Sequence, residues 1–107
     1  MTVITIGELK HRLMLEAPSR SPDGGGGASL TWEPVAELWG AIRPLTGGEG
    51  VEADGLKGRV THEIWIRRRA GVVPEMRFAL GSRLFDIRAA LDAGGRFLKC
   101  LVEERVP

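Results

Sequence analysis

The sequence contains no Asn, no Gln and no Tyr. N-glycosylation, an Asn-built oxyanion hole and a Tyr general acid are thereby excluded. A single cysteine, Cys100, cannot close an internal disulfide, so no disulfide framework supports the fold. With two histidines, His11 and His62, and that one cysteine, a four-ligand structural zinc site is not expected. No apolar run approaches the ~18 residues that would cross a bilayer as a helix, so no membrane partner is expected. The opening Met-Thr-Val-Ile-Thr-Ile-Gly-Glu has no basic stretch and no long apolar core, so it does not read as a secretory signal. Charge of one sign is also missing. Fifteen Lys and Arg stand against fourteen Asp and Glu, a net charge of +1, which argues against a chain whose main task is wrapping nucleic acid.

What is present reads as an ordinary globular domain made in the cytoplasm. The hydrophobic fraction of 43% and charged fraction of 27% are wrong for a disordered chain, and 107 residues are expected to form one domain, 1–107. Twelve of the fifteen basic residues are Arg. This bias suits planar contacts to carboxylate or phosphate, and equally suits a GC-rich genome.

Period-two alternation dominates, the signature of strands. Leu9, His11, Leu13, Leu15 and Ala17 form one face of a first strand, with Lys10, Arg12, Met14 and Glu16 on the other. The run Pro22-Asp23-Gly24-Gly25-Gly26-Gly27 then predicts a hairpin tip. Ala28 to Pro34 is a second strand carrying Trp32. Pro34 is expected to interrupt it, leaving Val35 to Arg43 as a third apolar stretch, read as strand. Thr46 to Gly58 has five glycines in thirteen residues and carries Glu49, Glu52 and Asp54 against Lys57, a flexible acidic segment. Alternation resumes with Val60, His62, Ile64 and Ile66 opposite Thr61, Glu63, Trp65 and Arg67. Met76, Phe78 and Leu80 form one further strand, Phe85, Ile87, Ala89 and Leu91 another, and Arg96 to Arg105 a last one, each bounded by a Gly or Pro turn. The expectation is an all-β fold: a small β-barrel or sandwich of six or seven short strands with long flexible loops. Ile64, Ile66, Phe78, Phe85 and Ile87 are expected to fill it. Trp65, on the opposite face, is expected at an interface or under a loop, so that Trp65→Ala mainly impairs assembly.

Catalytic motifs are near misses. Gly50 to Lys57 begins like a phosphate loop but has Leu56 where Lys is required. His62-Glu63 begins a zinc-protease pattern, but Ile66 takes the place of the second His. Ser82 lacks the second Gly of a nucleophile elbow. Asp86 and Arg88 share a strand face and read as a surface ion pair. No catalytic residue, metal ligand or cofactor is expected. Trp32, Trp39 and Trp65 suit core or interface packing, or a stacking platform for single-stranded nucleic acid. Arg67-Arg68-Arg69 suits a solvated turn, a phosphate contact, or pairing with a neighbour's acids.

The order of pieces resembles a known family. Its carriers are Gly7 to Arg12, Pro22-Asp23-Gly24, Trp32, Trp39-Gly40-Ala41-Ile42-Arg43-Pro44-Leu45, Thr61-His62 with Ile66-Arg67, Pro74 to Arg77, and Arg83-Leu84-Phe85-Asp86-Ile87. Together they span nearly the whole chain. They resemble the head–tail joining (head closure, or stopper) proteins of tailed phages and of phage-like gene transfer agents. The glycine-rich Thr46–Gly58 departs from the longer, more helical segment that the family often carries there. The resemblance implies a non-enzymatic virion protein of the neck. It would form a hexameric or dodecameric ring between a portal-side adaptor and a tail terminator or tail tube protein, and close the channel on packaged double-stranded DNA. It further implies a gating loop comprising Gly47, Gly48, Glu49, Gly50, Glu52, Asp54 and Gly55. Trp65, Arg67, Arg68 and Arg69 are the expected subunit-interface residues. The alternative reading is a stand-alone nucleic-acid-binding barrel that uses the tryptophans and the arginine cluster.

Overall fold

A computed structural model describes residues 4–22, 24–45 and 60–105. After a 3-10 turn at Ile6–Glu8 come six strands: β1 (His11–Pro22), β2 (Ala28–Pro44), β3 (His62–Arg67), β4 (Arg77–Leu80), β5 (Arg83–Ala93) and β6 (Phe97–Glu104). All pairings are antiparallel, and the single sheet closes on itself in the order β1-β2-β3-β6-β5-β4. Closure removes edges over the paired portions, the main liability of a small sheet.

The inward residues are those the alternation selects. Ile64, Phe78, Phe85 and Ile87 are fully buried and Ile66 is 1% exposed, packed with Leu13, Leu15, Cys100 and Val102. The chain from β3 to β4 joins strands that are not neighbours, so it crosses one end of the barrel. Val72 and Met76 on this crossing are buried into the same core. Burial among these groups pushes the Cys100 thiol up to about 12, so it remains an uncharged core residue.

Three details depart from the sequence reading. Pro34 does not break the second strand, and β2 runs unbroken for 17 residues. The reason is a register shift opposite Leu15 and Glu16. Leu15 pairs with Ala36 and Glu16 with Pro34, so Val35 is the extra residue of a bulge; Pro34 lies beside it where β2 has no strand on its other side among the described residues, and edges and bulges are where a strand tolerates proline. Leu9 lies before β1 and outside the main core. It joins Ile4, Ala41 and Trp65 in a second cluster on the outer surface, with Ala93 and Phe97 against it. Finally, β5 shifts register between Ile87 and Ala89, which takes Arg88 out of the alternation that paired it with Asp86.

Gly40 shows why a small residue is needed in β2. A Cβ there would lie 2.5 Å from Leu13 Cδ1, 3.2 Å from the Trp65 carbonyl oxygen and 3.3 Å from Ile66 Cγ2. Leu13 is fully buried within the main core, so its methyl can yield only by shifting against its core neighbours. Gly40→Ala is expected to lower stability by ~1–3 kcal/mol, the usual cost of overpacking a filled core. Urea unfolding checks this, and an unchanged midpoint would contradict it.

Candidate assembly surfaces

Two features stand out. β1 pairs with β4 only through Met14–Glu16, and β2 with β3 only through Gly40–Pro44, yet the β1–β2 pairing continues to Pro22 and Ala28. The two strands therefore project as a twisted ribbon, and the molecule measures 51 × 27 × 25 Å. At the tip Gly24 and Gly26 take φ of 82° and 86°, conformations that only glycine adopts without strain. At the root, the Arg77 guanidinium lies 4.1 Å from the Trp32 ring centroid, and its Nε donates to Glu16 Oε1 at 2.7 Å. This stack fixes the ribbon to β4.

The second feature is the segment between β2 and β3. Its two ends are tied together: Leu45 N–H donates to the Thr61 carbonyl at 2.9 Å, and Thr61 N–H to the Val102 carbonyl at 2.8 Å. The Thr61 hydroxyl also accepts from Glu104 N–H at 2.8 Å. The expected gating residues Gly47, Gly48, Glu49, Gly50, Glu52, Asp54 and Gly55 lie outside the described residues.

Beside this neck, His62 is half-buried. Its Nδ1 is 2.8 Å from the Thr61 hydroxyl, its ring meets Phe85 edge-on at 5.5 Å, and its Nε2 is 3.7 Å from Glu104 Oε1. Burial holds its pKa below the usual 6.5. The Glu104 carboxylate works in the opposite direction, and Arg83 reinforces the lowering. Glu104 itself is held below the ordinary carboxylate range, chiefly by hydrogen bonds from Arg83 at 2.8 and 3.1 Å. The consequence for stability has a definite sign. As pH falls through 6.5 the unfolded chain takes up a proton on His62 and the folded chain resists, so stability falls from about neutral pH downward. Glu104 adds a further loss only below its unfolded value of 4.5. Thermal melts between pH 7.5 and 5.5 are expected to show a decline in the parent that His62→Leu flattens. Parallel slopes for the two proteins would contradict the assignment.

The arginines divide into two groups. Six are paired with carboxylates: Arg12–Glu37, Arg43–Glu8, Arg77–Glu16, Arg83–Glu104, Arg88–Glu103 and Arg105–Asp86. Asp86 thus takes Arg105 at 2.7 Å, and Arg88 is 3.9 Å away, so the expected Asp86–Arg88 pair is secondary. Arg20, Arg67, Arg68, Arg69 and Arg96 have no carboxylate within ion-pair reach among the described residues. Arg20 lies on the ribbon, and the others lie at the ribbon end of the barrel. Arg67 pairs with Phe97 across β3 and β6, and Arg68 N–H donates to the Arg96 carbonyl at 3.0 Å. The sequence marks Arg67-Arg68-Arg69 as a run, but nothing local joins Arg96 to it.

The tryptophans do not form one platform. Trp65 is 7% exposed beneath the N-terminal segment, with Arg43 and Lys99 near its ring and its Nε1 donating to Glu63 at 3.1 Å. Trp32 is half-buried in the ribbon root. Trp39 is 53% exposed, with Arg12 5.4 Å from its ring centroid, beside the unpaired arginines.

A six-stranded barrel whose distinctive chemistry lies on its outer surfaces fits a protein that acts by assembly. Comparison with known proteins defines the class as a virion structural protein of the head–tail region. The chain belongs to the phage head completion protein family, whose model matches residues 4–105. One similar solved structure is a chain of the virion of a native gene transfer agent particle. It is 31% identical with a TM-score of 0.66, over 92% of this chain and 96% of that one. Another is the solution structure of protein SF1141 from Shigella flexneri 2a, at 24% identity and a TM-score of 0.75, over 94% and 96% of the two chains. It shows the fold alone. A search of curated proteins finds no match.

Proposed function

We propose that the chain acts as one domain of the head–tail connector, forming a ring that closes the DNA channel after packaging and docks the tail. Its role is structural rather than enzymatic. The observation that carries the reading is the family match over residues 4–105, supported by the likeness to a chain of a gene transfer agent virion. The ring is hexameric or dodecameric, with a portal-side adaptor on one side and a tail terminator or tail tube protein on the other. A ring needs a head-to-tail interface that closes by rotation, and Arg67, Arg68 and Arg69 provide one charged half of such an interface. Trp65 contributes through the N-terminal segment that covers it.

Within the ring, the segment carrying Glu49, Glu52 and Asp54 reaches into the channel. The tied ends at Leu45 and Thr61 give it a fixed base, and Gly47, Gly48, Gly50 and Gly55 let it change conformation. Its carboxylates repel the phosphate backbone, so DNA is stopped there without adhering and leaves freely when the tail opens the path. The test is deletion of Gly47–Gly55 followed by assembly of particles. DNA leakage before tail attachment, from necks that look intact by electron microscopy, is the expected result. Particles that hold DNA as well as the parent would refute the gating role, and necks without a ring of this protein would refute the whole reading.

A further inference from the structure

Along one side of β2 a strand edge, an exposed aromatic and arginines without a carboxylate partner among the described residues coincide. β3 pairs with β2 only as far as Ile66 opposite Gly40. The chain then turns off at Arg68, whose N–H donates to the Arg96 carbonyl. From Ala28 to Trp39, β2 therefore has β1 on one side and no strand on the other among the described residues. Such an edge offers backbone donors and acceptors to an incoming strand, except at Pro34, which has no N–H, and at the Val35 bulge beside it. Beside it, a groove of about 550 Å³ runs between Glu37–Trp39 and Arg67–Ala70. Trp39, 53% exposed, lines it.

Charge decides what the groove takes. Its own acid, Glu37, is held by Arg12 at 3.2 Å, whereas Arg67, Arg68 and Arg69 have no carboxylate partner among the described residues. Guanidinium groups with no carboxylate partner among the described residues, beside an exposed tryptophan, are the composition of an interface centre rather than of a solvated turn. A linear polyanion such as DNA would satisfy the arginines, but would leave the open backbone edge and the apolar groove without partners.

We infer that the free edge of β2 between Leu30 and Trp39 receives an extended acidic segment of a partner protein. The segment adds as a strand in the line of β3, with its carboxylates on Arg67, Arg68 and Arg69 and an apolar side chain against Trp39. This deepens the interface part of the proposed function by giving those arginines an occupant, and rests on that part alone.

The test uses the isolated full chain in an amide NMR titration. The probe is an acetylated, amidated peptide of alternating Val and Glu. A Val-Lys peptide and a short DNA duplex serve as the other arms. The expected result is shifts and slowed amide exchange confined to Leu30–Trp39 and Arg67–Ala70 with the Val-Glu peptide only. The triple change Arg67→Ser, Arg68→Ser, Arg69→Ser, and separately Trp39→Ala, should each weaken binding at least tenfold. Both alter exposed or half-buried surface, and spectra of the free variants show whether the barrel is kept. No perturbation at about 1 mM peptide, equal binding of the Val-Lys peptide, perturbation elsewhere, or displacement of the peptide by the duplex would each overturn the inference. Because the titration uses no particles, its failure leaves the DNA-retention experiment standing, and the reverse also holds.

Discussion

Phe85→Ala is expected to remove ~3–5 kcal/mol of stability, the largest effect of any single truncation in this chain. Phe85 and Phe78 are the two largest fully buried side chains, and they face one another across β4 and β5. A barrel with walls on every side cannot collapse into the space a lost ring leaves, so the cavity cost is felt in full. Against a total stability of ~5–15 kcal/mol, such a loss leaves part of the population unfolded near body temperature. Ile66→Ala should cost ~2–5 kcal/mol for the same reason. Trp65→Ala should differ in kind. It empties the outer cluster and frees the segment around Ile4 and Leu9, while the main core is untouched. Thermal melts with amide exchange over residues 4–9 separate the two behaviours. A Phe85→Ala melt close to the parent's would show that the core repacks.

Arg77→Ala carries the second large expectation, a loss of ~1–3 kcal/mol together with loosening of the ribbon. Both members of the Arg77–Glu16 pair are mostly covered, at 14% and 19% side-chain exposure, so removing the guanidinium leaves a partly desolvated carboxylate without its donor. It also removes the cation from the Trp32 ring. Exchange should accelerate at Ser19–Ser21 and Leu30–Glu33 and remain slow in β3 and β6. Arg77→Lys should recover little, because a point charge cannot span the carboxylate and the ring together. Equal acceleration throughout the barrel would mean that Arg77 supports the whole sheet rather than the ribbon.

The Arg77–Glu16 pair shows why charge composition misleads here. A net charge of +1 suggests an even surface. In the folded chain six arginines are matched with acids from elsewhere in the sequence, and Arg67, Arg68 and Arg69, which have no carboxylate partner among the described residues, line the groove beside Trp39. Balance of totals is a property of composition; balance of position depends on which strands meet.

The sequence by itself determined the all-β class, the core and the family. Ile64, Ile66, Phe78, Phe85 and Ile87 are inward because side-chain direction alternates along any strand, a local rule that needs no knowledge of neighbours. The Trp39–Leu45 run and the Arg83–Ile87 run carry a resemblance that the family match sustains. Only the tertiary structure decided the remainder. Pro34 stays within β2 because a bulge opposite Glu16 receives it, and that bulge depends on pairing with β1. Gly40 is required because Leu13, Trp65 and Ile66 converge on it from two other strands. Leu9 leaves the alternation of β1 to cover Trp65, which is inward of a surface that only the closed sheet creates. Arg77 finds Glu16 across 61 residues of sequence. In each case the deciding contact is between segments far apart in the chain, and strand order and register, which no local pattern specifies, set which segments meet.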